Sequence, residues 1–351
     1  MEDKLQFDLK TSQKLFTLAA RIDRFQGRWE LLEKKDNRYL RELRSIASVQ
    51  SIGSSTRIEG ATLTDAEVEK LLREVEITSL ETREQQEVVG YYEALELILV
   101  QYDFIDFTEA NILTLHNQLL KFSEKDQHHR GKYKQFSNQV VASYPDGSKR
   151  VLFKTTEPKD TPIEMKRMIA WVQEHISGDN FHPLFVIGTA IYEFLSIHPF
   201  QDGNGRLSRL LTSLLLLRAG YVFVQYISLE HIVEEKKSGY YRALMNAQQH
   251  RATDKEVIQD WMFFFFQSLN SLIHKLERKY SNYLNIGGIL NERQEKMLTF
   301  IRDRGVIKIG DAVQKFPEAS LSTLKRDLSL LESESLIEKT GKGKSTAYRK
   351  I

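Results

Sequence analysis

Two apolar segments flank a polar, glycine-rich loop in the middle of this 351-residue chain. The first covers 185–195 and the second covers 210–217. Arg218 and Gly220 follow, a basic residue and a glycine of the kind that end helices. Because the second segment is apolar on nearly every side, we expect a central core helix. A polar loop between two buried helices indicates a functional site.

The loop at 198–209 has the composition of a phosphate-binding site. Gly203 and Gly205 allow the backbone to turn sharply and to bring N–H groups close to an anion. The helix predicted to begin near Arg206 directs its positive end to the same place. Arg209 lies three residues further on the same helix face, so the two arginines can hold neighbouring phosphates.

Three other side chains of the loop add metal and proton-transfer chemistry. Asp202 supplies a hard carboxylate that suits Mg²⁺ bridging phosphate oxygens. Asn204 adds a neutral donor, and the imidazole of His198 can take a proton from an incoming hydroxyl.

Two known glycine-containing motifs fit the loop less well. A calcium loop would place Phe200 and Leu211 at its end-ligand positions, and a dinucleotide fingerprint would need a glycine at Ser208. A purely structural histidine remains the alternative.

The stretch 198–209 resembles the signature of the Fic family, H-P-F-x-(D/E)-G-N-G-R-x-x-R, with every specified position filled. The resemblance implies a mainly α fold, a helical Fic core with a β-hairpin flap, and transfer of AMP from ATP to a protein hydroxyl. It implies that His198 is the catalytic general base and that Asp202 binds Mg²⁺ or Mn²⁺. The implied ATP-binding residues in the loop are Phe200, Asp202, Gly203, Asn204, Gly205, Arg206 and Arg209.

These residues have different implied roles. Asn204, Arg206 and the loop amides hold the α- and β-phosphates, and Arg209 reaches toward the γ-phosphate. Phe200 packs inward and fixes the loop.

An inhibitory motif, (S/T)-x-x-x-E-(G/N), is matched by Ser55, Glu59 and Gly60. In the family its Glu lies against the second signature arginine, which implies a pair of Glu59 with Arg209. One guanidinium cannot serve both a carboxylate and a γ-phosphate in full, so this pair would leave ATP misaligned for attack. The alternative is that Glu59 is an ordinary surface residue. The position of the motif implies the family class whose inhibitory helix precedes the catalytic core.

A second family feature is the hairpin predicted from two β-type segments, 139–144 and 149–154, around the turn signal at 145–148. The resemblance implies that it is the flap, on which a hydroxyl-bearing target protein docks by adding a strand. Val151, Leu152 and Phe153 are predicted to lie nearest the nucleotide and the target. A plain surface hairpin is the alternative.

Tyr240 matches a tyrosine that the family often places near the adenine or its ribose, with packing as the alternative. Gln248 stands where relatives often use Asn, which puts its nucleotide contact in doubt.

Helical patterns cover most of the remaining chain. They predict helical structure from Ser12 to about Gln50, followed by an interruption at Gly53. A capping box of Thr64 with Glu67 is predicted at the start of the next helix. Further helices are predicted at about 84–102, 108–122, 291–303, 309–316 and 320–333, with others from Pro162 and from Ser238.

The C-terminal region is predicted to be a winged helix-turn-helix, with a hairpin at 336–340 and 346–350. Several of its basic residues suit phosphate and base-edge contacts: Lys325, Arg326, Lys342, Lys344, Arg349 and Lys350. DNA is one possible partner. Docking of a protein, or formation of a homodimer, is the other use of such a module.

Three regions are predicted: an N-terminal helical region with the inhibitory motif at 1–105, a catalytic core with the flap at 106–285, and the winged helix at 286–351. The net charge of +2 is too small to indicate a dominant nucleic-acid or membrane partner. The chain has no Cys, which excludes disulfides and thiolate chemistry and suits a cytoplasmic location. Neither a signal peptide nor a membrane-spanning segment is expected.

The sequence therefore predicts an autoinhibited protein adenylyltransferase that modifies Ser, Thr or Tyr of a target and of itself, with ATP as substrate. Two alternatives stay open. One is a DNA-binding transcriptional regulator with a sensory Fic domain, and the other is a Fic enzyme that removes AMP or transfers UMP or phosphocholine.

Overall fold

The protein is mainly helical, as predicted. The computed structural model describes all residues except 34–37, 75–79, 144–148, 179, 287–289, 335, 342, 344–345 and 351. The described residues form two compact units, one of Met1–Glu30 with Arg44–Ile273 and one of Leu31–Leu43 with His274–Ile351. The predicted boundaries after residues 105 and 285 remain predictions.

The first half of the chain is helical up to a hairpin. Its helices are α1 (Leu9–Glu33), α2 (Arg38–Ile58), α3 (Asp65–Glu74), α4 (Arg83–Gln101) and α5 (Glu109–Leu119). The capping box predicted for α3 is confirmed, since Glu67 accepts the Thr64 N–H at 2.8 Å and its own N–H donates to Thr64 Oγ1 at 3.3 Å. A second capping box, made by Thr82 and Gln85, begins α4.

Gly53 does not interrupt α2, contrary to the prediction. The helix continues to Ile58, and Ser54, which follows the glycine, is fully buried. A Cβ at position 53 would lie 2.6 Å from Arg57 Nη1 and 2.7 Å from Asp65 Oδ1. The glycine therefore serves close packing of charged groups rather than a break in the helix.

The hairpin strands are β1 (Gln139–Ser143) and β2 (Lys149–Lys154), which pair antiparallel with an irregularity between Val140 and Val141. The two predicted strands are confirmed, and the turn at 145–148 lies outside the described residues. The helices that follow are α6 (Thr161–His175), α7 (Pro183–Ile197), α8 (Asn204–Arg218), α9 (Leu229–Glu235), α10 (Lys237–Gln248) and α11 (Gln259–Ile286). The sequence patterns did not predict α9.

Helices α7 and α8 form the centre of the first unit, as their apolar sequences predict. Every residue from Leu184 to Ile197 is buried, and so are the leucines of α8. Helix α7 packs on α6 and α8, while α4 packs on α5 and α8. The loop between α7 and α8 is therefore held between two rigid elements of the core.

The second unit contains α12 (Glu292–Arg304), β3 (Val306–Lys308), α13 (Ile309–Lys315), α14 (Leu321–Ser333), β4 (Ile337–Thr340) and β5 (Ala347–Lys350). The strands form an antiparallel sheet in the order β3-β5-β4, so the predicted C-terminal hairpin is confirmed and β3 is an addition. Its core is formed mainly by leucines and isoleucines from the three helices and the sheet. Lys342 and Lys344 lie outside the described residues, and the winged-helix assignment remains a prediction.

No described helix combines the length and the apolar character that crossing a bilayer requires.

Candidate active site

A cavity of about 230 Å³ opens where the α7–α8 loop, the first turn of α8, β1 and α10 meet. The predicted site residues that line it are Glu59, His198, Asp202, Gly203, Asn204, Gly205, Arg206, Arg209 and Tyr240. Residues that are far apart in the sequence therefore converge on one concave site.

His198 ends α7 in a left-handed conformation, with φ of 53°. This backbone is strained for a residue other than glycine, and it turns the imidazole back into the cavity. The ring Nδ1 lies 3.3 Å from the Leu195 carbonyl, an acceptor, so Nδ1 carries the proton and Nε2 keeps a lone pair. Burial, assisted by the Lys134 ammonium, lowers the pKa of His198 to about 4. The imidazole is therefore neutral at pH 7 and able to accept a proton.

The side chain of Asn204 closes the loop that follows. Its Oδ1 accepts the Phe200 N–H at 2.9 Å, and its Nδ2 donates to the Phe200 carbonyl at 2.7 Å. Gly203, at φ of 81°, allows the turn into α8, and Asp202 Oδ1 accepts its N–H at 2.6 Å. Both polar ends of Asn204 are engaged, so the backbone N–H groups of the first turn of α8, which have no acceptor within the helix, are donors available to an anion.

Arg206 is buried, with 2% of its side chain exposed. Its Nη2 lies 3.3 Å from Asp202 Oδ1, and its Nη1 lies 3.3 Å from Glu87 Oε2. Its Nε and Nη1 nevertheless make no hydrogen bond within the described part of the chain. Unsatisfied buried donors are costly, and donors that face an anionic substrate would be satisfied by it.

Arg209 donates from Nε and Nη2 to Ser55 on α2 and to Glu59 just after that helix. Its Nε donates to Ser55 Oγ at 2.8 Å, and its Nη2 donates to the Ser55 carbonyl at 3.0 Å and to Glu59 Oε1 at 2.8 Å. Although burial opposes the charge, the Glu59 carboxylate raises the pKa of Arg209. A Cβ on Gly205 would lie 2.2 Å from Glu59 Oε1, so the carboxylate rests directly against the bare backbone of the loop.

Residues 106–216 match the Fic/DOC family. The chain carries a Fic domain. It is 33% identical over 255 residues to protein adenylyltransferase Fic of Drosophila erecta, an alignment that covers 69% of this chain and 47% of that protein. Identity to the Drosophila melanogaster protein of the same name is 33% over 219 residues, which covers 61% of this chain and 40% of that protein. The chain therefore spans less than half the length of these curated relatives.

Solved structures agree on the fold. A Fic family protein from Desulfovibrio desulfuricans G20 superposes with a TM-score of 0.63 at 22% identity, covering 96% of this chain and 95% of that one. Fic-1 from C. elegans gives a TM-score of 0.59 at 19% identity, covering 77% of this chain and 74% of that one.

Within the Fic domain, sequence reasoning missed the residues that hold the α7–α8 loop in place. Lys134 Nζ donates to the Ile197 carbonyl at 3.0 Å, and the Lys134 N–H donates to the Pro199 carbonyl at 2.9 Å. Asn138 Nδ2 donates to the Phe200 carbonyl at 2.8 Å. Burial lowers the pKa of Lys134 to about 8. These contacts fix the backbone on both sides of His198.

His116 is a further residue that was missed. Its ring stacks on Phe200 with centroids 3.7 Å apart. Its Nδ1 accepts the Gly131 N–H at 2.8 Å, and its Nε2 donates to the Asp202 carbonyl at 3.0 Å. Burial lowers the pKa of His116 to about 4, which suits the neutral form that these two bonds require. Phe200, predicted among the ATP-binding residues as the one that packs inward and fixes the loop, is fully buried and does not line the cavity.

Tyr240 reaches the cavity from α10 and makes edge contacts with Tyr241, Trp261 and Phe264 at centroid distances of 5.2 to 5.7 Å. Burial raises its pKa well above the usual range, so the phenol stays neutral. Gln248, on the same helix, donates to Ser196 within the core.

The hairpin contributes Gln139 and Val140 to the cavity lining. Val151, predicted to lie near the nucleotide, is 49% exposed and is not part of that lining. The side chain of Leu152 lies outside the described part of the chain.

Asp202 is the predicted metal ligand. Although burial opposes it, Arg206, the Gly203 N–H and Arg83 lower the pKa of Asp202, so it is ionised at pH 7. The described residues contain no cluster of three or more His, Cys, Asp or Glu that would form a complete metal site. One hard carboxylate fits Mg²⁺ or Mn²⁺, which commonly take their other ligands from substrate phosphates and water.

Proposed function

We propose that this protein is an autoinhibited protein adenylyltransferase. It transfers AMP from ATP to a Ser, Thr or Tyr hydroxyl of a target protein and of itself. The observation that carries the proposal is the neutral imidazole of His198, which shares one cavity with two buried arginines, Arg206 and Arg209. The names of the Drosophila relatives support the same activity.

In this reaction the hydroxyl oxygen of the target attacks the α-phosphorus of ATP. The bond from that phosphorus to the oxygen bridging to the β-phosphate breaks, and pyrophosphate leaves. Nε2 of His198 takes the hydroxyl proton as the new P–O bond forms. Its low pKa makes it a weak base, so proton transfer accompanies bond formation rather than preceding it.

Stabilisation of the departing charge falls to Arg206 and to the first N–H groups of α8. Both are held rigidly before substrate arrives, which is the arrangement that lowers a barrier most effectively. Mg²⁺ or Mn²⁺ held by Asp202 would supply neutralisation of phosphate charge. Tyr240 offers an aromatic face at the other end of the cavity, where a nucleoside would lie.

Glu59 makes this enzyme autoinhibited. Its carboxylate occupies the Arg209 donor that we assign to the γ-phosphate, at 2.8 Å. The two anions cannot share that donor in full, so bound ATP is displaced from in-line geometry. A shift of about 1 Å can cost on the order of 100-fold in rate.

The target protein is proposed to dock on the hairpin. In the described part of the chain the hairpin forms a sheet of two strands, so an added strand could pair with an outer edge, and main-chain hydrogen bonds would then orient the hydroxyl toward His198. The half-exposed Val151 on β2 is available to such a segment.

Intact-protein mass spectrometry tests the proposal. Glu59→Gly protein is incubated separately with ATP, GTP, UTP, CTP and CDP-choline, and a mass increase of one AMP is expected with ATP alone. Glu59→Gly/His198→Asn is expected to show no increase, and Asn suits the left-handed backbone at that position. An unmodified Glu59→Gly protein, or a gain that survives the histidine change, would end the proposal.

Removal of AMP is a second candidate, because Glu59 lines the cavity with about a third of its side chain exposed and can orient a water molecule. Modified Glu59→Gly protein mixed with the parent would lose its label if this activity operates. DNA binding through the exposed Lys325 and Arg326, a homodimer and a cytoplasmic location remain predictions.

A further inference from the structure

Four charged side chains form a closed ring beside the α7–α8 loop. Arg83 Nε lies 2.7 Å from Glu87 Oε1, and Arg83 Nη2 lies 3.0 Å from Asp202 Oδ2. Arg206 closes the ring, with Nη1 3.3 Å from Glu87 Oε2 and Nη2 3.3 Å from Asp202 Oδ1. Each carboxylate oxygen faces a different guanidinium nitrogen, and the formal charges of the ring cancel.

Two members of the ring come from α4, which lies outside both the signature and the part of the chain that matches the Fic/DOC family. Arg83 and Glu87 are four residues apart and therefore share a helix face. Arg83 is the first residue of α4, directly after the Thr82 capping box. The helix start therefore fixes where this guanidinium stands.

The two oxygens of Asp202 have different surroundings. Oδ1 accepts the Gly203 N–H at 2.6 Å and faces Arg206. Oδ2 has Arg83 as its hydrogen-bond and ion-pair partner among the described residues. Oδ2 is therefore the oxygen that a divalent cation would use, and the guanidinium of Arg83 stands in front of it.

Exposure separates the two arginines of the ring. The Arg83 side chain is 51% exposed, whereas that of Arg206 is 2% exposed. Arg83 can turn toward solvent while its Nε stays on Glu87, but Arg206 has no such freedom. Arg83 is therefore the displaceable member of the ring.

We infer that Arg83 is a positioning residue that holds the place of the divalent cation on Asp202 and disfavours metal binding before nucleotide binds. The inference rests on the proposed function, because it takes Asp202 as the metal ligand. A cation that approached the nucleotide-free cavity would encounter the positive charge of Arg83 at Asp202 Oδ2. The ring as a whole carries no net negative charge that would attract it. A cation that arrives with a triphosphate brings negative charge, to which Arg83 and Arg206 are favourable neighbours.

Mn²⁺ titration of the nucleotide-free protein tests this inference. Free Mn²⁺ is followed by electron paramagnetic resonance, which requires no turnover. Arg83→Gln keeps a polar, though shorter, side chain and removes the charge, so Mn²⁺ binding is expected to tighten by up to about tenfold. Arg73→Gln is the matched control, because Arg73 makes an exposed (i, i+4) pair with Glu69 on α3. It should leave Mn²⁺ binding unchanged.

The double variant Arg83→Gln/Asp202→Asn shows whether the gain operates through Asp202, and it is expected to lose the gain. Equal Mn²⁺ affinity in Arg83→Gln and the parent would overturn the inference, as would a gain that survives in the double variant. Since no AMP transfer is measured, such a failure leaves the proposed function standing. Conversely, loss of the proposed AMP transfer would not alter the Mn²⁺ titration.

Discussion

The Arg206 end and the Arg209 end of the cavity differ although the two arginines share one helix face and similar burial. Arg209 donates from Nε and Nη2 to Ser55 and Glu59. Arg206 is instead ion-paired with Glu87 and Asp202 at 3.3 Å each, and its Nε and Nη1 make no hydrogen bond to a described residue. Under the proposed function, Glu59 would therefore block the phosphate position at Arg209 without reaching the one at Arg206. Inhibition of this kind would let nucleotide enter but misplace its far end.

Replacement of Arg206 by Lys should give the largest loss of AMP transfer. A small loss would contradict the contrast drawn between Arg206 and Arg209. A lysine supplies one point charge in place of the fork of donors, so AMP transfer by Glu59→Gly protein should fall about 100-fold. Radiolabel transfer from ATP measures the loss, and thermal melting checks the fold. Because Glu59 does not contact Arg206, a double-mutant cycle between these two positions should show little coupling. The corresponding cycle between Glu59 and Arg209→Lys should show strong coupling, and similar coupling in both cycles would contradict the comparison.

Glu234→Gln should weaken the contact between Glu59 and Arg209 indirectly, through Arg57. Arg57, two residues before Glu59, is held by Glu234 in a forked pair, with Nε at 2.7 Å and Nη2 at 3.0 Å. Loss of this carboxylate should loosen the end of α2, so that Glu59 is away from Arg209 in a larger fraction of molecules. Self-modification should then rise about threefold. The initial rate of label incorporation is the measurement, and Glu69→Gln, which removes an exposed pair on α3, is the control. An unchanged rate would mean that Arg57 does not support the inhibitory contact.

The pH profile should show the smallest change, because it concerns the histidine between the two ends. An ordinary imidazole with a pKa of 6.5 would lose activity below neutrality, whereas a pKa of about 4 keeps His198 neutral. The kcat/KM of Glu59→Gly protein should therefore stay level from about pH 8 to about pH 5. A midpoint near 6.5 would show that the histidine is not desolvated.

Stability should depend on pH in a related way. His198 and His116 both have a folded pKa of about 4, below the unfolded value of 6.5. The unfolded chain takes up protons first as the pH falls, so stability is highest above 6.5 and declines between 6.5 and 4. Melting curves across this range measure the decline.

The sequence predicted the part of the site that is contiguous. The segment from His198 to Arg209 is continuous in the sequence, and its residue types directly indicate the chemistry of the site. Glu59 was predicted to pair with Arg209, and their side chains lie 2.8 Å apart. The supporting residues His116 and Lys134 gave no such signal, because a single polar residue on a helix or in a loop has no characteristic spacing.

Other differences have a tertiary origin. Gly53 was interpreted as a helix break because glycine disfavours helix interiors, yet the close approach of Arg57 and Asp65 explains it. Strand β3 has three residues, too few for an alternating pattern to indicate it. The Arg83–Glu87 pair reads as an ordinary surface (i, i+4) pair until the fold brings Asp202 beside it.

Gly205 limits which substitutions this protein can accept during evolution. Because Gly205 has no side chain, the Glu59 carboxylate can lie against it, whereas a Cβ there would be 2.2 Å from Glu59 Oε1. In the proposed function, phosphate would approach the same stretch of backbone. Under the proposed function, both inhibition by Glu59 and phosphate binding would therefore depend on the absence of a side chain at position 205. A saturation library at codon 205 should return glycine under selection for either property, so loss of repression has to arise elsewhere, in α2 or its supports.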